Sequence, residues 1–513
     1  MAEDAHLPAN PAARPVECEL KFGFRRRTQK ILESLPEIAI ATPQYLHLRA
    51  TYFDTPDRLL KTSGVTLRIR QGNGLPVQTV KSGEQAGSVA LCRNEWEWPL
   101  EQDHPDLAKL AAVPELAPTA KLLDGRLEPV FVTDIQRTVH LLHLDDGAIV
   151  EVAIDVGKII CGAKDEPVQE LELELKIGDP GSLYRLAASI HERAPLWIFA
   201  ESKAARGWRV RTGHGGSSVS VCPPILLTGD TVGEALHKIV QSSLGHLVAN
   251  IAPTLRGEPE GLHQMRIALR ACRAALELFA PILGRGKVKR LDRKLRRFVR
   301  ELGRTRDWDV LCLQTIPAAS RAFPGELVPV SEVATAAQQA SHRALRKILH
   351  GRALTTLILH FAVELSRTSD LNRNNLEMEQ PFTQLGPYLL DRVSRKITRR
   401  TSHVGGLSTK RLHGLRKRLD RLYDDIAFVE ALYPKRHVRA YRARCEALQD
   451  ILGLVNDAVV TRRLVLGLVK RSSGNLETPG RHLLSWSKER RKAALGDLES
   501  AADGFLSAPP FWH

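Results

Sequence analysis

The sequence predicts an α+β protein of two domains, an antiparallel strand-rich domain followed by an all-helical one. Three observations carry that prediction. The first two hundred residues contain runs that alternate strictly between apolar and polar, as half-buried strands do. The rest shows 3.6-residue periodicity with basic outer faces, as in LHQMRIALRACRAALELFA and KVKRLDRKLRRFVRELG. Charge divides the chain in the same way: residues 1–220 carry a net −4 and residues 221–513 a net +20, within a total of +16. The cut falls in the Gly/Ser-rich stretch GHGGSSVSVCPP, and 513 residues favour at least two domains over one. The expected organisation is a flexible tail over 1–14, a first domain over 15–212, a linker over 213–224 and a helical domain over 225–513.

Composition excludes several classes. Aromatics at 5% argue against a surface built to stack many bases. No stretch of about 18 uninterrupted apolar residues exists, so no spanning helix and no membrane partner are expected. The first fifteen residues carry Glu3 and Asp4 and lack an apolar core, so a secretory signal is not expected. The seven cysteines are scattered, odd in number and without C-x-x-C spacing. That disfavours disulfide scaffolds, zinc ribbons and thioredoxin-type sites, and fits a reducing, cytoplasmic location.

The strands come in order as VECELKF, VTLRIR, RNEWEWPL, AIVEVAIDV and QELELELKI, with helical patterns between them at about 28–39, 105–123 and 181–193. Successive residues of a strand point to opposite sides. Glu17, Glu19 and Lys21 therefore share a face, as do Arg68 and Arg70, then Thr79 and Lys81, then Arg93, Glu95 and Glu97. Asp155 shares a face with Glu151, and Glu170, Glu172, Glu174 and Lys176 share another; Arg137 sits in a further strand. Any one of these is ordinarily a solvated face. As a set they differ, because both signs of charge recur together and E-x-E pairs stand on three strands.

If the sheet closes with these faces inward, the lumen holds carboxylates beside arginines and lysines. Carboxylates hold hard divalent ions such as Mg²⁺ or Mn²⁺ through oxygen. Arginine and lysine hold phosphate oxygens. Phosphoryl transfer needs little beyond positioning and charge neutralisation. No G-x-x-x-x-G-K-[ST] is present, so a P-loop is not the phosphate site.

Glu17-x-Glu19-x-Lys21 resembles the E-x-E-x-K motif of the CYTH superfamily, the triphosphate tunnel metalloenzymes. Tyr52-Phe53-Asp54-Thr55, Arg68-x-Arg70, Lys81, Arg93-x-Glu95-x-Glu97, Arg137, Asp155, Glu170-x-Glu172 and Ser202-Lys203 follow in the family's order. The resemblance covers about 15–210. It implies an eight-stranded antiparallel β tunnel that binds a triphosphate and one or two divalent ions. By that resemblance Glu17, Glu19, Asp155, Glu170 and Glu172 are the metal-side carboxylates. Lys21, Arg68, Arg70, Lys81, Arg93, Arg137 and Lys203 hold phosphates. Glu17, Glu19, Lys21 and Lys81 stand at the reacting centre, with Glu95 and Glu97 as lumen acids that orient bases or a metal-bound water. Glu174 and Lys176 lie further along and receive no role.

The helical part contains a repeat. His263-x-x-Arg266 recurs as His413-x-x-Arg416, and Leu302-Gly303-x-x-x-Asp307 recurs as Leu452-Gly453-x-x-x-Asp457, both at an offset of 150. Two motifs sharing one offset predict two pseudo-symmetric helical bundles, about 225–365 and 380–510. A loop near 402–408 is expected to divide them. The repeat is imperfect, since Arg270 and Arg273 correspond to Asp420 and Tyr423. His263, Arg266, Arg270 and Arg273 fall on one helical face. Lys287, Lys289, Arg290, Arg293, Lys294, Arg296, Arg297 and Arg300 crowd the next segment. Arg392 to Arg400 and Lys410 to Arg421, with His413, Arg416, Lys417 and Arg421, do so in the second half. One such arginine is ordinarily salt-bridged; 48 bases against 28 acids in residues 221–513 cannot all be. Dense like charge implies an anionic partner. No nucleic-acid module is visible and no membrane-type apolar face accompanies the bases, so nucleic acid is not the expected partner.

These residues resemble the CHAD family over about 225–510. CHAD domains commonly follow CYTH domains and are associated with inorganic polyphosphate. The resemblance implies a polyphosphate site made of His263, Arg266, Arg270, Arg273, Arg297, His413, Arg416, Lys417 and Arg421, and association with polyphosphate granules. Asp307 and Asp457 are read as helix caps or as partners that aim the arginines. The resulting expectation is a metal-dependent inorganic triphosphatase with a polyphosphate-binding helical domain. The alternatives are a thiamine or nucleoside triphosphatase, a class IV-type adenylate cyclase, or a polyphosphate-binding protein whose tunnel does no chemistry. No residues that clearly recognise adenine stand out.

Overall fold

The structure, a computed structural model, describes residues 16–72, 74–83, 88–198, 201–371, 376–472 and 474–513. The tail expected over 1–14 lies outside the described residues. The chain divides into two compact units that meet at Ser217 and Ser218.

The first unit is built on β1 (Val16–Gly23), β2 (Gln44–Asp54), β3 (Thr66–Gln71), β4 (Val77–Ser82), β5 (Leu91–Pro99), β6 (Glu128–His143), β7 (Ile149–Cys161), β8 (Lys164–Ile177) and a two-residue β9 (Trp197–Ile198). The sheet order is β5-β4-β3-β2-β6-β7-β8-β1-β9, and β1 pairs with β5 as well as β8. That last pairing closes eight antiparallel strands into a barrel, and β9 only extends one end of β1. Alternation sorts the side chains. Leu171 and Leu173 of β8, Val152 and Ile154 of β7, and Leu20 and Phe22 of β1 are buried on the outer face, while the Glu and Lys between them point into the lumen. Helix Pro180–Arg193 covers part of this apolar exterior, with Leu183 and Ile190 fully buried.

Two expectations change here. The helix expected over 105–123 is one short turn, Leu107–Ala111, and a 3-10 turn, Ala120–Leu123. Pro114 and Pro118 interrupt it by removing amide donors and clashing with the preceding turn. Cys18 and Cys92, 74 residues apart, face each other across the β1–β5 seam and form a disulfide, with Cα atoms 4.3 Å apart. Spacing along the chain gives no sign of a cross-strand pair, since only strand register brings it together.

The second unit is helical. Helices begin at Val232, Pro259 and Arg285, and again at Phe382, Thr409 and Lys435. All three pairs are offset by 150. The order of buried, half-buried and exposed positions over 291–308 recurs without change over 441–458. The 402–408 loop does not divide the halves. It is a turn inside the second one, between helices Phe382–Thr401 and Thr409–Val429. Among the described residues, no helix is long and apolar enough to cross a membrane.

Candidate functional site

The barrel encloses a cavity of about 250 Å³ lined by eight basic and seven acidic side chains. Strand register assembles it. Glu17 faces Arg93, Lys21 faces Glu172, Thr79 faces Glu97 and Lys81 faces Glu95. Lys203 enters from a helix, Lys203–Thr212, whose first turn Ser202 caps by accepting from the Ala205 amide.

Each charge has an opposite partner. Lys81 Nζ lies 2.5 Å from Glu17 and 3.0 Å from Glu95. Arg93 bonds Glu19, and Lys21 Nζ sits 3.1 Å from Glu19 and 2.9 Å from Glu172. Arg137 grips Asp155 with two bonds of 2.7 Å and reaches Glu172 at 2.6 Å. Lys203 Nζ lies within 2.8 Å of Asp155, Glu170 and Glu172 together. Arg70 is 3.2 Å from Glu97, whereas Arg68 stands 3.7 Å from Glu95 and 3.9 Å from Glu97.

Burial would neutralise these groups, and the pairing prevents it. Desolvation opposes ionisation of Glu172, yet Lys203, Lys21 and Arg137 hold its pKa well below the ordinary carboxyl value. Desolvation likewise works against charge on Lys203, but Asp155, Glu170 and Glu172 hold its pKa well above the usual lysine value. Lys21 is raised against the same cost by Glu172 and Glu19. Glu174 behaves oppositely. Desolvation, with Glu17 and Glu151 nearby, pushes it up to about 7 even though Lys176 lies 2.6 Å away.

The structure sorts the residues singled out in the sequence. Glu17, Glu19, Lys21, Arg68, Arg70, Lys81, Arg93, Glu95, Glu97, Arg137, Glu172 and Lys203 all line the cavity. Asp155 and Glu170 do not. They lie behind it, 0% and 1% exposed, beneath Arg137, Lys203 and Arg206. Glu151, Glu174 and Lys176 do line it. Arg206, which bonds Glu166 and Glu170, does not stand out in the sequence. Its position three residues after Lys203, on the same helical face, is the one signal that points to it.

Among the described residues, no three acids, histidines or cysteines converge in an arrangement that could hold a metal. The donor chemistry nonetheless suits a hard divalent ion. Glu17, Glu19, Glu172 and Glu174 all present carboxylate oxygens to one cavity, and in this structure lysines and arginines occupy those oxygens.

In the helical unit, His263 and Arg266 stand on helix Pro259–Leu278, and His413, Arg416 and Lys417 on Thr409–Val429. These helices pack on each other. Desolvation, with Arg416, Arg306 and Arg270 close by, pushes Arg266 down to about 10. His263, His413 and Lys417 are lowered by desolvation and by neighbouring cations. Other expected binders are internally paired. Arg270 grips Asp424 at 2.7 and 2.8 Å, Arg273 bonds Asp292 at 2.6 Å, and Arg421 bonds Glu277. Asp307 and Asp457 do not cap helices: both lie inside them, and Asp307 takes an ion pair from Arg463. Arg297 stands exposed on helix Arg285–Val310, nine residues and thus about half a helical circumference from Arg306, which faces His263 and Arg266.

A closed antiparallel barrel with a charged lumen, followed by a repeated helical unit, defines a two-domain protein of the CYTH–CHAD kind. The chain matches the CYTH domain over residues 16–208 and the CHAD domain over residues 238–466, and so carries the one followed by the other. An inorganic triphosphatase of Haemophilus influenzae is 35% identical over 185 residues, 34% of this chain. The chain spans about half, 51%, of that relative's length. The CHAD domain of the plant Ricinus communis shares the fold, with TM-score 0.52 at 24% identity over 58% of this chain and 99% of that one.

Proposed function

We propose that the barrel hydrolyses inorganic triphosphate with a divalent ion, Mg²⁺ or Mn²⁺, and that the helical unit binds inorganic polyphosphate. The carrying observation is the lining of the cavity. Among the described residues, charged side chains from all round the barrel line it, and Tyr52 is the one aromatic residue in that lining. The Haemophilus influenzae relative supports the choice of inorganic triphosphate over an organic one.

Arg68 and Arg70 hold their acids most loosely, so they can turn to phosphate oxygens at least cost. Lys21, Lys81 and Arg93 complete the cradle as substrate displaces their present partners. Asp155 and Glu170 act from behind by fixing Arg137 and Lys203, rather than as metal ligands. Glu17, Glu19, Glu172 and Glu174 would hold the ion. When bound, it would neutralise phosphate oxygens and lower the pKa of a water.

The test is phosphate release from tripolyphosphate with Mg²⁺, Mn²⁺ or EDTA, beside a Glu19→Ala control. Metal-dependent release that falls at least about a hundredfold in the variant is expected, because one electrostatic contact at a reacting centre is worth that much. Equal release by the variant would remove the tunnel as the catalyst. For the helical unit, polyphosphate affinity should fall as salt rises, since phosphate contacts release counterions.

A further inference from the structure

We propose that the exposed face of helix Arg285–Val310 docks duplex DNA through its phosphate backbones. This does not rest on the polyphosphate reading. From Lys289 to Arg304 the helix has eight exposed positions, and all eight are lysine or arginine. The fold does not require this. The equivalent eight positions of helix Lys435–Val469 have the same exposure, yet hold Arg439 and Arg444 against Glu446 and Asp450, with alanine or leucine at the rest. Their net charge is zero. One repeat therefore tolerates a neutral face where the other concentrates like charge at a cost in repulsion.

Acids within reach do not offset it. Asp292 holds Arg296, Glu301 holds Arg300 and Arg304, and Glu364 holds Arg290. Lys289, Arg293 and Arg297 make no hydrogen bond or ion pair among the described residues. They recur every four residues, so they form one row.

The shape selects the partner. At 100° per residue the cations cover an arc of about 160° and a length of about 22 Å. A single phosphate chain would need only one row. A duplex offers two phosphate ridges beside a groove about 12 Å wide, close to the diameter of a helix with its side chains, about 10–12 Å. No exposed position in the stretch is aromatic, so unpaired bases have nothing to stack on. None is Asn, Gln, Ser or Thr, so adenine edges go unread and any base contact is confined to lysine or arginine on guanine. Backbone contact alone needs no recognition module, which is why the sequence shows none.

The experiment measures binding of the full-length protein to a labelled 20-base-pair DNA of mixed sequence across a salt series. The variant Arg293→Ala/Arg296→Glu/Arg300→Asp exchanges three cations for the residues that hold the same positions in the other repeat. Its fold is checked by circular dichroism. Each cation that no longer meets a phosphate lowers the log–log salt slope by about 0.9, so the variant should lose two to three units of slope and at least about tenfold in affinity. Arg439→Ala/Arg444→Ala, on the matching face, should leave the slope unchanged. If the triple variant misfolds, Arg293→Gln/Arg297→Gln removes two unpaired cations and should lower the slope by up to about two. Unchanged affinity and slope in a folded variant would overturn the proposal. So would preferential binding of polyphosphate to this face. That would appear as displacement of the duplex at equal phosphate concentration, with the same loss of polyphosphate affinity in the variant.

Discussion

Glu174 shows how one side chain reports the charge balance of the whole lumen. Its neighbours in the cavity neutralise one another, whereas desolvation, with Glu17 and Glu151 nearby, raises Glu174 to about 7 although Lys176 is its partner. In the folded protein Glu174 therefore holds its proton more tightly than in the unfolded chain. Stability then falls as pH rises from about 4.5 to about 7, by up to about 3 kcal/mol. Glu97, Asp155 and Glu172 have the opposite sign, since their pKa values are depressed. Their contribution is present above the unfolded pKa and is lost only as pH falls through their folded values. Urea unfolding in EDTA at pH 5 and pH 7.5 should show wild type losing stability relative to Glu174→Gln at the higher pH. Parallel behaviour of the two proteins would show that Glu174 is not raised. This residue is visible in the E-L-E-L-E-L run, but its role is not. Alternation gives the face a side chain takes, whereas depth along the lumen depends on how β8 registers with β1 and β7.

Among the elements, helix Lys203–Thr212 supplies Lys203 and Arg206 to three buried acids. Its seat is set by Gly207, where an added Cβ would lie 2.2 Å from the Phe131 ring. Glycine inside a helix ordinarily costs about 1 kcal/mol against alanine. It is kept here because the helix must approach β6 closely. Phe131 stacks on Tyr52 and meets Trp208 edge-on, so the ring cannot easily yield. Gly207→Ala should lower the melting midpoint and reduce triphosphate turnover together, by lifting Lys203 and Arg206 off Asp155, Glu170 and Glu172. A variant with raised stability and full turnover would show that the ring accommodates the methyl. Strand alternation makes the five charged strands legible, and the 150-residue offset does the same for the helical repeat. The Lys203–Thr212 helix is not legible. It is short, arginine-rich and glycine-containing, and the contacts that seat it against Glu166, Glu170 and Phe131 are to distant strands. The Cys18–Cys92 bridge is hidden for the same reason, because it exists only through the β1–β5 register that closes the barrel.

At the scale of the whole molecule, the helical unit divides its cations into two kinds, and composition alone does not tell them apart. Arg270 lies on the first half's Pro259–Leu278 helix and is locked to Asp424 of the second half, a carboxylate 5% exposed beside Asp425, which is 1% exposed. Desolvation raises both aspartates, and Asp425 is raised well above its ordinary value with Asp424 adding to the effect. Removing Arg270 would leave Asp424 without its bidentate partner. Arg266, one helical turn away, is instead lowered to about 10 by desolvation and by Arg416, Arg306 and Arg270, which together outweigh Asp307 beside it. An incoming polyanion would relieve the repulsion among these arginines. The two arginines should therefore fail differently. Arg270→Ala should cost on the order of 2 kcal/mol in unfolding free energy, less than for a fully buried pair because the Arg270 side chain is 34% exposed while Asp424 is buried. Its polyphosphate salt slope should change little. Arg266→Ala/Arg416→Ala should melt at or above the wild-type temperature while the slope falls by about 0.7 for each phosphate no longer neutralised, the single-strand value. Melting curves and polyphosphate titrations of both variants decide the matter. If the Arg270 variant loses affinity without losing stability, the interlock between the halves is itself part of the binding face.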